Sequence, residues 1–103
     1  MVVGTIQGEQ LQMYDLTPQQ YESLIRLTAA LHVALPRIEL DFPRDAAGNL
    51  VTKVLSKDEF EKFHGVLGHF HIQSNKTDPG PAFRFDYVLD QAKKASTRSH
   101  ELD

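Results

Sequence analysis

The spacing of apolar and polar positions predicts a short hairpin, two capped helices, one strand and a final helix. Residues 2–13 alternate loosely around a Gly-Glu pair, which predicts two short strands joined by a turn. Thr17 and Pro18 mark a helix start, because Thr17 can cap the helix and Gln20 can complete a capping box. We expect this helix to run to about Ala34, before Pro36. Its predicted apolar face consists of Tyr21, Leu24, Ile25, Thr28, Leu31 and Leu35.

The second half of the chain begins with an irregular connection over 37–54, with a turn at 45–49 and some hairpin character. Ser56 and Glu59 then repeat the capping pattern, which predicts a short helix ending near His64. A last helix is expected from Asp86 to about Ala95. Its inward residues are Val88, Leu89 and Ala92.

These elements predict an α+β fold in which a small sheet is packed by two or three helices. The domain is expected to cover residues 1–95. Residues 96–103 are polar and lack apolar periodicity, so they are predicted to form a frayed tail.

The stretch from 65 to 83 concentrates the candidate chemistry. As a strand, it would place Phe70 and Ile72 on one face and both His69 and His71 on the other. The turn that follows contains Pro-Gly-Pro and could bring Asp78 back towards the imidazoles. Two imidazoles and a carboxylate suit a zinc ion with an open fourth position. A polar strand end beside a tight turn explains the same residues without a metal.

The order of residues in this stretch also resembles a known motif. Gly68-His69, followed by Lys-Thr-Asp-Pro-Gly-Pro-Ala-Phe at 76–83, is similar to the closing motif of the zinc-dependent N-acetylmuramoyl-L-alanine amidases. This is the type-2 amidase fold, shared with peptidoglycan recognition proteins and amidase-type phage lysozymes. Members are often secreted, periplasmic or phage-encoded.

The resemblance implies roles for individual residues. His69 and Asp78 match zinc ligands of the family, and Lys76 matches a lysine that assists catalysis by stabilising the oxyanion. His71 lies where the family varies, so it is a third ligand only if it points the same way as His69. The implied cofactor is zinc, and the implied substrate is peptidoglycan or a muropeptide.

The chain departs from the family in two respects. The loop between His69 and Lys76 is one residue shorter than the commoner form. The family also takes its first zinc histidine from a His-x-Thr or His-His-Thr string on an early strand, and a catalytic glutamate or tyrosine from a later strand. Neither is found here, since the first histidine is His32 in a predicted helix. The resemblance therefore covers the C-terminal part of the family's domain.

Composition excludes only a few classes of protein and of binding site. The 103 residues, 41% of them hydrophobic, suit one small domain. A formal net charge of −3 with scattered basic residues predicts no nucleic-acid partner. The absence of cysteine excludes disulfides and thiolate ligands. No run reaches transmembrane length and residues 1–4 are too short for the core of a signal peptide, which leaves the compartment open.

Three hypotheses follow. The chain is the C-terminal part of an amidase, active with its missing N-terminal half, or it is a non-catalytic binding module that keeps the amidase-like groove. The second hypothesis predicts a homodimer or a partner chain, because a partial sheet leaves an edge and an apolar face uncovered. In the third hypothesis the chain is a small α+β domain that retains the motif as a relic.

Overall fold

The computed structural model describes the backbone of residues 1–102 and the side chains of residues 1–96. In chain order the elements are β1 (Val2–Ile6), β2 (Glu9–Met13), α1 (Pro18–Ala34), α2 (Lys57–Lys62), a 3₁₀ turn (His69–His71) and α3 (Phe85–Leu102). A two-stranded sheet and packed helices confirm the predicted α+β class.

The predicted hairpin forms between β1 and β2. The strands are antiparallel and pair from Val2 with Met13 to Ile6 with Glu9. Gln7 and Gly8 have φ values of 54° and 77°, as the favoured two-residue hairpin turns require. Only Ile6 of the two strands is fully buried, so β1 joins the core mainly at its C-terminal end.

Helix α1 has the predicted boundaries and cap. Thr17 Oγ1 accepts a hydrogen bond from Gln20 N at 3.1 Å, and Gln20 Oε1 accepts one from Thr17 N at 2.8 Å. The predicted apolar face is wrong in part, since Leu31 and Leu35 are exposed. Tyr21 is buried as predicted, and Ala29, which was not on the predicted face, is the other buried residue of the helix. Helix α1 packs against α3.

The middle of the chain is irregular, as predicted. A single bridge between Arg44 and Leu50 closes the turn at 45–49. Helix α2 has the predicted capping box of Ser56 and Glu59, but it ends at Lys62, slightly before the predicted end near His64.

Helix α3 begins one residue earlier than predicted and buries the predicted residues Val88, Leu89 and Ala92. The region predicted as a frayed tail, 96–103, has a helical backbone as far as Leu102, and Ser96 is buried. The side chains beyond Ser96 lie outside the described residues. Among the described residues, none of the helices combines the length and the hydrophobicity of a membrane span.

The core is centred on Phe70 and Phe85. The ring of Phe85 lies 6.2 Å from those of Phe42 and Phe70 and 4.8 Å from that of Phe83. The other members of this cluster are Ile6, Ala29, Leu40, Leu89 and Ala92. The core thus joins the hairpin, the irregular connection and α3 through the stretch that contains the candidate site.

The prediction of a strand within 65–72 is wrong. No neighbouring strand pairs with it in the described residues, and its backbone groups bond to loops: Val66 N donates to Asp41 O at 2.8 Å, and Phe70 N donates to Asp78 O at 3.1 Å. Residues 69–71 form a 3₁₀ turn. Side chains in such a turn do not alternate between two faces, so the period-two argument for His69 and His71 fails.

Candidate metal site on the 69–80 loop

The structure brings His69 and Asp78 together. Nδ1 of His69 lies 3.2 Å from Oδ2 of Asp78, although the two residues are nine apart in sequence. The bond from Phe70 N to Asp78 O closes the base of the loop. Gly80, with a φ of 86°, completes the turn by donating from its N–H to Thr77 O at 2.8 Å. Local backbone bonds therefore place both predicted ligands side by side.

The separation of these two atoms suits a shared zinc ion. Zinc binds imidazole nitrogen and carboxylate oxygen at about 2.0–2.2 Å with tetrahedral angles, which places two ligand atoms about 3.3 Å apart. The observed 3.2 Å agrees with that spacing. Both side chains are accessible, with 40% of His69 and 68% of Asp78 exposed, so an ion could reach them.

The second nitrogen of His69 also faces an acceptor. Nε2 lies 2.8 Å from Oε1 of Gln73. If Nε2 carries the ring proton and donates to Gln73, the lone pair of Nδ1 points at the Asp78 carboxylate. Three arrangements make both contacts favourable: a doubly protonated ring, a Gln73 amide rotated by half a turn, or a cation between Nδ1 and Oδ2. The third is the arrangement of a metal ligand oriented by a hydrogen bond to its other nitrogen.

His71 does not join this pair. Its side chain is fully buried, and both nitrogens are used: Nδ1 accepts from Gly68 N at 2.9 Å, and Nε2 lies 2.7 Å from Val51 O. Because Nδ1 accepts, the proton is on Nε2, which donates to the carbonyl. Burial lowers the pKa of His71, and the hydrogen bond to Val51 opposes this effect. In this position the ring has no lone pair left for a metal ion.

Lys76 lies on the same loop, two residues before Asp78. Its side chain is exposed, and its backbone N–H donates to Gln73 O at 3.2 Å. No ion pair of Lys76 is seen among the described residues. Its ammonium group is thus accessible on the same loop as His69 and Asp78.

Among the described residues, the candidate site has two ligands, His69 and Asp78. Within that part of the chain no three His, Asp or Glu side chains lie close enough together to hold a metal ion. His69 and Asp78 have suitable chemistry and spacing, but a catalytic zinc site usually has three protein ligands.

Two glutamines that the sequence analysis did not single out support this site, one on the loop and one outside it. Gln73 orients the His69 ring, and the side chain of Gln7 reaches the loop from the hairpin. Gln73 lies four residues after His69, a spacing that sequence analysis can find once a helical turn is assumed. Gln7 is more than 60 residues away, and no local pattern predicts its contact.

No protein-family model, curated protein or solved structure matches the chain. The resemblance to the amidases therefore depends on the motif residues alone.

Proposed function

We propose that this chain carries the zinc-binding loop of a peptidoglycan amidase, which hydrolyses the amide between N-acetylmuramic acid and L-alanine. The observation that supports this best is the 3.2 Å approach of His69 Nδ1 to Asp78 Oδ2. These two residues match the ligand positions of the amidase motif, and Lys76 stands between them in sequence as it does in the family.

In this proposal each residue of the loop has a separate task. His69 and Asp78 hold the metal, and Gln73 fixes the orientation of the His69 ring. Zinc, when bound, supplies a Lewis acid that polarises the scissile carbonyl and activates water near neutral pH. The Lys76 ammonium stabilises the negative charge that develops on the carbonyl oxygen. The remaining ligand and the acid-base group come from an N-terminal half of the domain or from a second copy of the chain.

Zinc calorimetry on metal-stripped protein tests the ligand assignment. We expect one zinc per chain, with binding lost in both His69→Ala and Asp78→Ala. His64→Ala is the matched control, because His64 is exposed beyond the end of α2. Binding that survives in either ligand variant, or no binding by the native chain, would contradict the proposal for this chain.

The role of Lys76 is tested separately from binding. In the assembled enzyme, with the remaining ligand and the acid-base group in place, Lys76→Ala should keep its zinc and lose about 100- to 1,000-fold in the rate of muramoyl-L-alanine cleavage, the usual effect of removing one oxyanion donor. Lys62→Ala, at an exposed position in α2, is the control and should keep the native rate. Equal rates in Lys76→Ala and native protein would remove Lys76 from the mechanism.

A second candidate function, a non-catalytic interaction module, is supported by α1. Leu27, Leu31 and Leu35 are 56%, 44% and 53% exposed, and they recur every four residues along one side of the helix. The neighbouring positions on this side are uncharged: Gln20, Ser23, Leu24 and Ala34. A continuous uncharged leucine face is typical of a helix that packs against another protein surface.

In this second candidate the module associates with a second copy through the leucine face of α1. Sedimentation equilibrium should then give a dimer that the double substitution of Leu27 and Leu31 by glutamine dissociates. Arg26→Gln, on another side of α1, is the control and should leave the dimer intact. A native chain that stays monomeric up to high micromolar concentrations would contradict the dimer.

A further inference from the structure

Gln7 connects the hairpin tip to the loop of the candidate site. Its side-chain Nε2 donates to Phe70 O at 2.6 Å and to Gln73 O at 3.0 Å, with Lys76 O a third, longer neighbour at 3.4 Å. Its Oε1 accepts from Val54 N at 3.0 Å. One amide thus contacts two segments that are distant in sequence from it and from each other.

The three carbonyl oxygens bonded by Gln7 belong to the loop that carries His69, Gln73 and Lys76. Carbonyl oxygens that converge on one point repel each other unless a donor lies between them, and an amide NH₂ supplies two hydrogens for that purpose. The Gln7 amide therefore offsets the electrostatic repulsion among these carbonyl groups and stabilises the folded conformation of the loop.

The backbone of Gln7 is held in place as well. Its N–H donates to Thr52 O at 2.8 Å, and its φ of 54° is uncommon for a residue with a side chain. The hairpin turn accordingly keeps the amide aimed at the loop. Next to Val54, Leu55 N donates to His71 O at 2.9 Å.

We propose that Gln7 is the positioning residue of the candidate metal site. Its side-chain hydrogen bonds go to backbone groups and not to the ligand side chains, and it acts by fixing the backbone from which His69, Gln73 and Lys76 project. The metal-related part of this inference rests on the proposed function. The effect of Gln7 on the loop conformation does not depend on the proposed function, so the loop conformation and the zinc affinity are measured separately.

Two substitutions isolate the contribution of the amide. Gln7→Glu keeps the size of the side chain and replaces the donor with a charged oxygen facing three carbonyls. Gln7→Met keeps the length and removes the donor without adding charge. The control is Gln12→Glu, which makes the same charge change at an exposed position of β2.

The first readout is amide hydrogen exchange at Val54, Gln73 and Lys76, with nuclear Overhauser effects between the His69 ring and Gln73. We expect exchange at Gln73 and Lys76 to become about tenfold faster in both Gln7 variants, as the loss of one hydrogen bond implies, and the Overhauser effects to weaken. Exchange at Val54 should become faster in Gln7→Met alone, because Gln7→Glu keeps a side-chain oxygen that accepts from Val54 N. Global stability, measured in urea alongside, identifies any general unfolding. If Gln7→Glu does not fold, Gln7→Met decides the outcome. Native exchange and native Overhauser effects in the folded Gln7 variant would overturn the inference.

The second readout is zinc affinity. It should fall about 10- to 100-fold in both Gln7 variants and stay native in Gln12→Glu, as for other residues that orient metal ligands. A loop that opens while zinc affinity is unchanged would also overturn the inference, because Gln7 would then stabilise the fold without positioning the site. If the native chain binds no zinc, the proposed function fails, and the loop measurements alone judge Gln7.

Discussion

At the scale of single residues, His71 shows how a polar group becomes part of a core. The ring is fully buried beside the aromatic rings of Phe70 and Phe85, at centroid distances of 4.1 and 5.7 Å. Burial lowers the pKa of the ring, and protonation of Nδ1 would also replace an acceptor by a second donor opposite Gly68 N–H. His71 is therefore a structural histidine that links the 3₁₀ turn to the connection at Val51.

This arrangement predicts a loss of stability in acid. The pKa of His71 is lowered from its ordinary value of 6.5, so between the two pKa values the unfolded chain binds a proton that the folded chain does not. The stabilisation of the folded state by the neutral His71 ring is therefore complete above pH 6.5 and is lost as the pH falls towards the folded-state pKa. Within this range the free energy of unfolding should fall by up to about 1.4 kcal/mol per pH unit. Urea unfolding from pH 8 to pH 5 measures this slope.

The control for this prediction is a second histidine. His71→Asn should be less stable at every pH and should show a smaller slope, whereas His64→Asn, at an exposed position, should keep the native slope. Equal slopes in native protein and His71→Asn would show that other groups cause the acid sensitivity.

At the scale of elements, the Pro-Gly-Pro turn depends on the hairpin for its packing. Gly80 has a φ of 86°, and a Cβ there would collide with the sulfur of Met13 at the end of β2. Gly48 in the 45–49 turn has nearly the same φ, 87°, but open space around it. Substituting Gly48 therefore measures the cost of backbone strain alone, and substituting Gly80 measures that cost together with the cost of a steric clash.

Alanine substitutions at these glycines should therefore differ. Gly48→Ala should reduce the free energy of unfolding by about 1–2 kcal/mol, the cost of a left-handed conformation for a residue with a side chain. Gly80→Ala should cost about 0.5–1.5 kcal/mol more, because the added methyl forces the end of the flexible Met13 side chain out of its conformation. Denaturant unfolding of both variants measures the difference. Equal losses would mean that the turn does not pack on β2 as described.

At the scale of the whole molecule, Phe70 joins the site to the core. Its ring is fully buried and contacts Phe85, while its backbone N–H and C=O bond to Asp78 and Gln7. Removing the ring should therefore affect both the stability of the fold and the geometry of the loop.

Phe70→Ala should cost about 3–5 kcal/mol, a large share of the total for a domain of this size. Phe60→Ala, at a ring that is 45% exposed on α2, should cost less than about 1 kcal/mol. Calorimetric melting of both variants checks the contrast. A Phe70→Ala loss as small as that of Phe60→Ala would show that the core is not centred on Phe70.

The local elements could be predicted from the sequence because their signals are local. Thr17 with Gln20 and Ser56 with Glu59 form capping boxes within four residues, and the Gly at position 8 permits the hairpin turn. The convergence of Asp78 on His69 was likewise expected from the turn that separates them. The class of fold follows from these elements.

The tertiary structure alone decided which faces are buried and which side chains surround the site. Periodicity placed Leu31 and Leu35 of α1 inward, but α3 packs on the neighbouring face. The same reasoning made 65–72 a strand, yet a strand needs a partner with free backbone groups, and the 3₁₀ turn satisfies its groups within loops. The Gln7 contact depends on how the hairpin packs on a loop more than 60 residues away, which no local pattern encodes.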